Sequence, residues 1–311
     1  MGRPVPLLLL LLLLPLLPPP PGLPGAGAAP RRRHLFPVKE VPLDMAPDAF
    51  DDEYRGCAGA MEAELAELNR SEMAVNPVYA AAWASAAGRW GERRHAAPRP
   101  RGLTPEQETA ILAYTMQSPL HGAFNAAVRE AGRSGRHYLD RFHFKTLHFL
   151  LSRGVQALRG AQPRRCRRVY RGVSGVRFAA TPRRAVRFGH FASSSLKNAS
   201  AWRFGHDTFF SVETCYGVAI RNFSFFPDED EVLIPPSERF EVASVARAGS
   251  QVLIELRSKG LHSSYNCEFV QEKRCKTRPC VFSAGRSSPG APPSLWGLLL
   301  AAGALMAAGG P

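Results

Sequence analysis

From about residue 45 to 157, apolar residues recur every three or four positions. From about 166 the texture changes to short β-rich runs punctuated by Pro and Gly. In DDEYRGCAGAMEAELAELN, Met61, Leu65 and Leu68 fall four and three apart among Glu62, Glu64 and Glu67, the spacing of an amphipathic helix. NPVYAAAWASAAGRW predicts a second helix, RRHAAPRPRG a loop, and Thr104-Pro-Glu-Gln a capping-box start for a third helix. GAFNAAVREAG predicts a fourth, stopped at Gly132. In HYLDRFHFKTLHFLLSRG, Tyr138, Phe142, Leu147, Leu150 and Leu151 form one apolar stripe. His137, His143 and His148 lie five or six apart there, share no metal-binding face and are expected on the helix surface.

The second half reads as strands: RRVYRGV, VRFGHFASSSL, DTFFSVETCYGVAIRNFSFF, EVLIPPSERFEVASVARAG and QVLIELRSKG. No helical pattern among them is long enough to supply βαβ crossovers. The expected class is α+β, a helical N-terminal half packed on a mixed or antiparallel β core. The one Gly-x-Gly string, Gly25-Ala-Gly27, follows no strand, so nothing points to a Rossmann sheet.

The ends add a cellular setting. Residues 1–29 carry one Arg, an unbroken Leu7–Leu14 run and a small-residue region, the layout of a secretory signal peptide. Residues 283–311 run from small residues through a Pro-containing spacer to an uncharged apolar tail, the layout of a glycosylphosphatidylinositol (GPI) attachment signal. Residues 30–282 between them are expected to form one domain, mainly helical over 30–160 and β-rich over 161–282. Six cysteines behind a signal peptide imply disulfides, with fifteen connectivities open, and no CxxC or zinc-like His spacing occurs. Sequons at Asn69, Asn198 and Asn222 suit a secreted glycoprotein. The localisation expected is the secretory pathway, ending at the cell surface on a lipid anchor or outside the cell. Forty Lys+Arg against 26 Asp+Glu leave a charge of +14, but the basic residues form scattered clusters without a nucleic-acid-binding motif, so no nucleic-acid partner is expected.

Three polar intrusions interrupt the apolar strands. Tyr170-Arg171-Gly172 places a guanidinium beside a residue that lets a ligand approach the backbone. Ser193-Ser194-Ser195 sets three hydroxyls in a strand. FPDEDEVLIPP gathers four acids before one. If that segment is already extended, Glu229 and Glu231 share a side and Asp230 faces away. Asp228 and Asp230 read as solvated turn residues.

Taken in order, Arg171, the Ser-rich strand and Glu229-x-Glu231 resemble the Arg–Ser–Glu-x-Glu signature of the arginine-specific mono-ADP-ribosyltransferases, the branch shared by vertebrate ecto-enzymes and certain bacterial toxins. FDDEYRGC, ILAYT, FNAAVREAG, FGHFASSSLKNAS, DTFFSVETCYG and YNCEFVQEKRC resemble the vertebrate ecto-enzymes too, so the likeness covers roughly residues 40–280. It implies cleavage of the nicotinamide–ribose bond of NAD, a co-substrate, and transfer of ADP-ribose to an arginine guanidinium, with no metal. The partners implied are NAD, arginine-bearing extracellular or secretory-pathway proteins, and the membrane through the anchor. By the same resemblance Glu231 is the catalytic glutamate, Glu229 the one serving the acceptor arginine, and Arg171 the anchor for NAD. Gly172 would offer backbone hydrogen bonds to the nicotinamide amide, Ser193 would brace Glu231, and Phe204 is a candidate for stacking on nicotinamide. The expected cysteine pairs are Cys166–Cys215, Cys57–Cys267 and Cys275–Cys280. Two alternatives stay open: an NAD glycohydrolase, which needs almost the same site, and a catalytically silent recognition protein at the cell surface.

Overall fold

The computed structural model describes residues 37–96, 102–163 and 165–274. The proposed signal segment, the attachment signal, Cys275 and Cys280 lie outside them. A short strand, β1 (Lys39–Pro42), leads into six helices: α1 (Ala58–Val75), α2 (Pro77–Ala96), α3 (Pro105–Thr115), α4 (Leu120–Ala131), α5 (Gly135–Arg141) and α6 (Lys145–Ala161). The β half runs β2 (Arg167–Val173), β3 (Val176–Ala179), β4 (Ala185–Val186), β5 (Ala192–Ser195), α7 (Asn198–Trp202), β6 (Thr208–Thr214) and β7 (Val218–Ala219). It continues with β8 (Glu231–Ile234), β9 (Glu238–Ala248), β10 (Gln251–Leu261) and α8 (Glu268–Arg274). Eight strands form one mixed sheet in the order β4-β9-β10-β6-β2-β5-β8-β7. Its single parallel pair, β6 with β10, is joined through further strands, without a crossover helix.

The Thr104 signal is realised in full. The Thr104 hydroxyl accepts from Gln107 N at 3.3 Å and the Gln107 side chain accepts from Thr104 N at 3.0 Å, a cap of about 1 kcal/mol. The single stripe expected over 137–154 is instead two helices. Glu72, from α1, accepts the N–H groups of Lys145 and Thr146 at 2.7 and 2.9 Å, so a carboxylate from elsewhere in the fold starts α6 afresh. The break buries both Phe142 and Phe144. His148 also departs from expectation: it is fully buried, and its Nδ1 meets the Tyr54 hydroxyl at 2.8 Å. Its ring packs among Phe50, Phe124, Phe142 and Phe191, and burial pushes its pKa down to about 3.

Apolar faces of α1–α6 and the inner ends of β5, β7 and β8 share one core, in which Tyr114, Phe124, Leu151 and Leu233 are fully buried. Each such side chain contributes roughly 1.5–3 kcal/mol. Phe210, Ile234, Phe240 and Ile254 anchor a second core on the sheet. Disulfides join Cys57 to Cys267 and Cys166 to Cys215. The buried Asp51 carboxylate pairs with Arg187 and accepts from Ser264 N and Tyr265 N, tying the segment after β1 to the connection between β10 and α8. Among the described residues no helix is long and apolar enough to cross a membrane.

Candidate active site

Strand order assembles what the sequence scatters. β5 lies between β2 and β8, with Tyr170 opposite Ser195 and Ser195 opposite Glu231. Arg171, Ser193 and Glu231, up to 60 positions apart in sequence, therefore sit on three adjacent strands. They line one cavity of about 660 Å³, together with Gly172, Phe204, Phe226, Glu229 and the α3–α4 connection at residues 115–118.

Arg171 donates from Nη1 to the Ser193 carbonyl at 2.6 Å. Burial lowers its pKa, opposed by the charges of Tyr114 and Glu231. Glu231 opens β8 and is buried. Burial raises its pKa, while hydrogen bonds from the hydroxyls of Ser193 and Ser224 pull it back down and the charge of Glu229 raises it further. The Ser224 hydroxyl lies 2.7 Å from Glu231 Oε2 and accepts from Phe226 N at 3.2 Å. Its own proton is thus directed at the carboxylate. Glu229 is half-buried, and burial raises its pKa too, offset by the nearby Arg203 charge.

The two glutamates meet by a route other than the extended one expected. Pro227–Glu229 is a turn of 3₁₀ helix, and Asp230 is left-handed at φ 47°, ψ 51°. Only Glu231 is in the strand. Asp230 is not a freely solvated acid: its carboxylate is 17% exposed and meets Lys197 Nζ at 2.8 Å and Arg221 at 3.1 Å. Asp228 is exposed.

Gly172 lines the cavity and carries a packing constraint as well. A Cβ there would fall 2.4 Å from the Ala201 carbonyl oxygen and 2.5 Å from that of Gly205. Glycine is therefore needed where α7 and the segment after it press their backbone on β2. Phe204, carried on that segment, is 56% exposed at the cavity wall and so is not a core aromatic. Of the sequons, Asn198 and Asn222 are exposed, whereas Asn69 lies half-buried in α1 and accepts from the Tyr79 hydroxyl at 2.7 Å. Among the described residues no cluster of His, Cys, Asp and Glu is placed to hold a metal ion.

A family model for NAD:arginine ADP-ribosyltransferase matches residues 43–264. The chain belongs to this family. It is 53% identical over 269 residues to an erythroblast NAD(P)(+)–arginine ADP-ribosyltransferase of Gallus gallus, covering 86% of this chain and 89% of that one. It is 49% identical over 283 residues to the GPI-linked NAD(P)(+)–arginine ADP-ribosyltransferase 1 of Homo sapiens, covering 86% of each. Among solved structures, the eucaryotic mono-ADP-ribosyltransferase ART2.2 superposes with a TM-score of 0.63 at 38% identity, over 72% of this chain and 97% of that one. A mutant of ART2.2 has been solved in complex with NAD.

Several groups at this ADP-ribosyltransferase site carried no sequence signal of their own. Ser224 lies seven residues before Glu231 in an apolar stretch and looks like any turn serine. Tyr114 donates to the Phe191 carbonyl at 2.7 Å and accepts from Asn125 at 3.1 Å, and burial raises its pKa to about 12. His121 also lines the cavity, its pKa lowered to about 4 by burial and then by Arg171 and Arg129, so it is neutral at physiological pH. Tyr114, on α3, and His121, on α4, reach the cavity only through the packing of those helices.

Proposed function

We propose that this enzyme moves ADP-ribose from NAD to the guanidinium of arginine residues, with Glu231 and Glu229 dividing the work. NAD binds in the cavity, where Arg171 offers a fixed cation to its phosphates or ribose and Phe204 a face for nicotinamide. The glycosidic bond breaks with its electron pair moving onto the pyridinium nitrogen. Nicotinamide leaves neutral and needs no general acid, which sets this chemistry apart from the usual two-carboxylate glycosidase.

The sugar left behind is cationic at its anomeric carbon. Glu231, buried and braced by the Ser224 hydroxyl, is a preorganised counter-charge for it. A guanidinium nitrogen then bonds to that carbon and loses a proton. Guanidinium is protonated at any physiological pH, so a neighbouring carboxylate must orient it and take the proton as the bond forms. Glu229, on the same cavity and more exposed than Glu231, suits that task.

The observation that carries this reading is that both glutamates line the cavity that Arg171 and Ser193 enter. A protein retained only for surface recognition has no need to bury Glu231 beneath two serines. The GPI-linked relatives support a lipid-anchored place at the cell surface, which makes arginines of extracellular proteins the natural acceptors.

The test is to incubate the ectodomain with labelled NAD and agmatine. Labelled agmatine is expected, with Glu231→Gln abolishing nicotinamide release and Glu229→Gln removing transfer while sparing hydrolysis. Label appearing only as free ADP-ribose would turn the assignment to a glycohydrolase.

A further inference from the structure

We propose that Asp230 is a positioning residue that sets the partition of ADP-ribose between arginine and water, by latching the turn that carries Glu229. The proposal rests on the acceptor role given to Glu229 above. Asp230 sits between the two glutamates yet lines no part of the cavity. Its left-handed backbone is costly for an L-residue and persists only where surroundings hold it. This conformation swings the chain from the 3₁₀ turn into β8, leaving Glu229 and Glu231 on one cavity.

The exit of β5 grips this turn at three successive residues. The Ser195 hydroxyl donates to the Glu229 carbonyl at 2.5 Å, Leu196 N donates to the Asp230 carbonyl at 3.1 Å, and Lys197 Nζ donates to the Asp228 carbonyl at 3.1 Å. The Asp230 carboxylate closes the latch by bridging Lys197, just after β5, and Arg221, just after β7.

Glu231 does not depend on this bridge. It is held by strand pairing and by the Ser224 hydroxyl. Glu229 is held through its backbone, by Phe226 and the Ser195 hydroxyl, so its side chain follows the turn. Loosening the latch therefore misplaces the acceptor glutamate and leaves the sugar-facing one in register. A displacement on the scale of an ångström at a reacting group is enough for a large rate loss.

The experiment measures agmatine labelling and NAD hydrolysis side by side. The variants are Asp230→Asn, which tolerates the left-handed backbone and loses the charge, and the double variant Lys197→Gln/Arg221→Gln, which leaves Asp230 intact. Both are expected to lower the transfer-to-hydrolysis ratio about tenfold, with nicotinamide release from NAD and water within about threefold of the parent. Raising the salt should move the parent's ratio toward theirs, because exposed ion pairs are screened.

Unchanged ratios in both variants overturn the proposal, as does a parallel loss of hydrolysis. Glu229→Gln is run alongside. If it transfers like the parent, the acceptor role falls first. If it loses transfer while Asp230→Asn keeps it, only the latch is wrong.

Discussion

Ser224 is where the structure adds most to the signature, and Ser224→Ala tests it. The hydroxyl is fully buried, as is nearly all of Glu231, so no water is positioned to replace the lost donor. A hydrogen bond to a charged group contributes about 1.5–3 kcal/mol, and 1.36 kcal/mol corresponds to one unit of pKa. Deleting it should raise further a Glu231 pKa that burial already raises. Ser193 still holds the carboxylate, which places the expected change toward the lower end.

Glu231 acts ionised, so activity falls as pH drops through its pKa. The variant's acid limb should lie about one to two pH units above the parent's, with the rates converging at higher pH. The assay is the initial rate of nicotinamide release across roughly pH 4 to 9, with thermal melts to confirm that both proteins stay folded. A limb at the parent's position, with the rate lowered equally at every pH, would refute the claim that Ser224 stabilises the charged form.

Gly172→Ala should cost about 1–3 kcal/mol or more of stability, read from thermal melts, because the new methyl group meets two backbone carbonyls that cannot swing aside. A parent-like melting temperature would remove the packing constraint and leave ligand access as the reason for that glycine. His148, buried neutral with a pKa near 3, binds no proton in the fold over a range where an unfolded histidine does. Its contribution is therefore present above about pH 6.5 and is lost as pH falls toward 3. The stability gap between parent and His148→Phe should shift against the parent across that window, and a gap independent of pH would contradict the buried-neutral account. If the C-terminal signal is used, phosphatidylinositol-specific phospholipase should release activity from intact cells; activity that stays bound would point to another mode of attachment.

The fold class and most helices were legible because each rests on local periodicity or local caps, as at Thr104 and Gln107. What escaped was decided between elements. The break after Phe142 comes from Glu72, some seventy residues earlier, and no window around HFKTLHF contains it. His148 sits between Leu147 and Phe149 in sequence, but only the cage of Phe50, Phe124, Phe142 and Phe191 explains why a histidine is buried there.

The site divides along the same line. Arg171, Ser193 and Glu231 stood out as polar residues inside apolar strands, a departure from pattern that evolution tolerates where function needs it. Ser224 and His121 sit where polar residues are ordinary and so made no contrast.

In the acidic stretch at 226–236 both glutamates line the cavity, but not by the alternation expected of a strand. Alternation along a strand puts residues two apart on one side, but only Glu231 is in the strand. A period-two argument makes the middle residue irrelevant, since anything facing away would serve. With a 3₁₀ turn and a left-handed joint, the middle residue becomes the hinge on which Glu229 is aimed. Its charge then matters because Lys197 and Arg221 answer it. In a chain of net charge +14, two of those surplus cations are thus spent holding an acid in place. The same four carboxylates that look like one negative patch in sequence end in four surroundings: Glu231 buried, Glu229 half-buried on the cavity, Asp230 paired with two cations and Asp228 exposed.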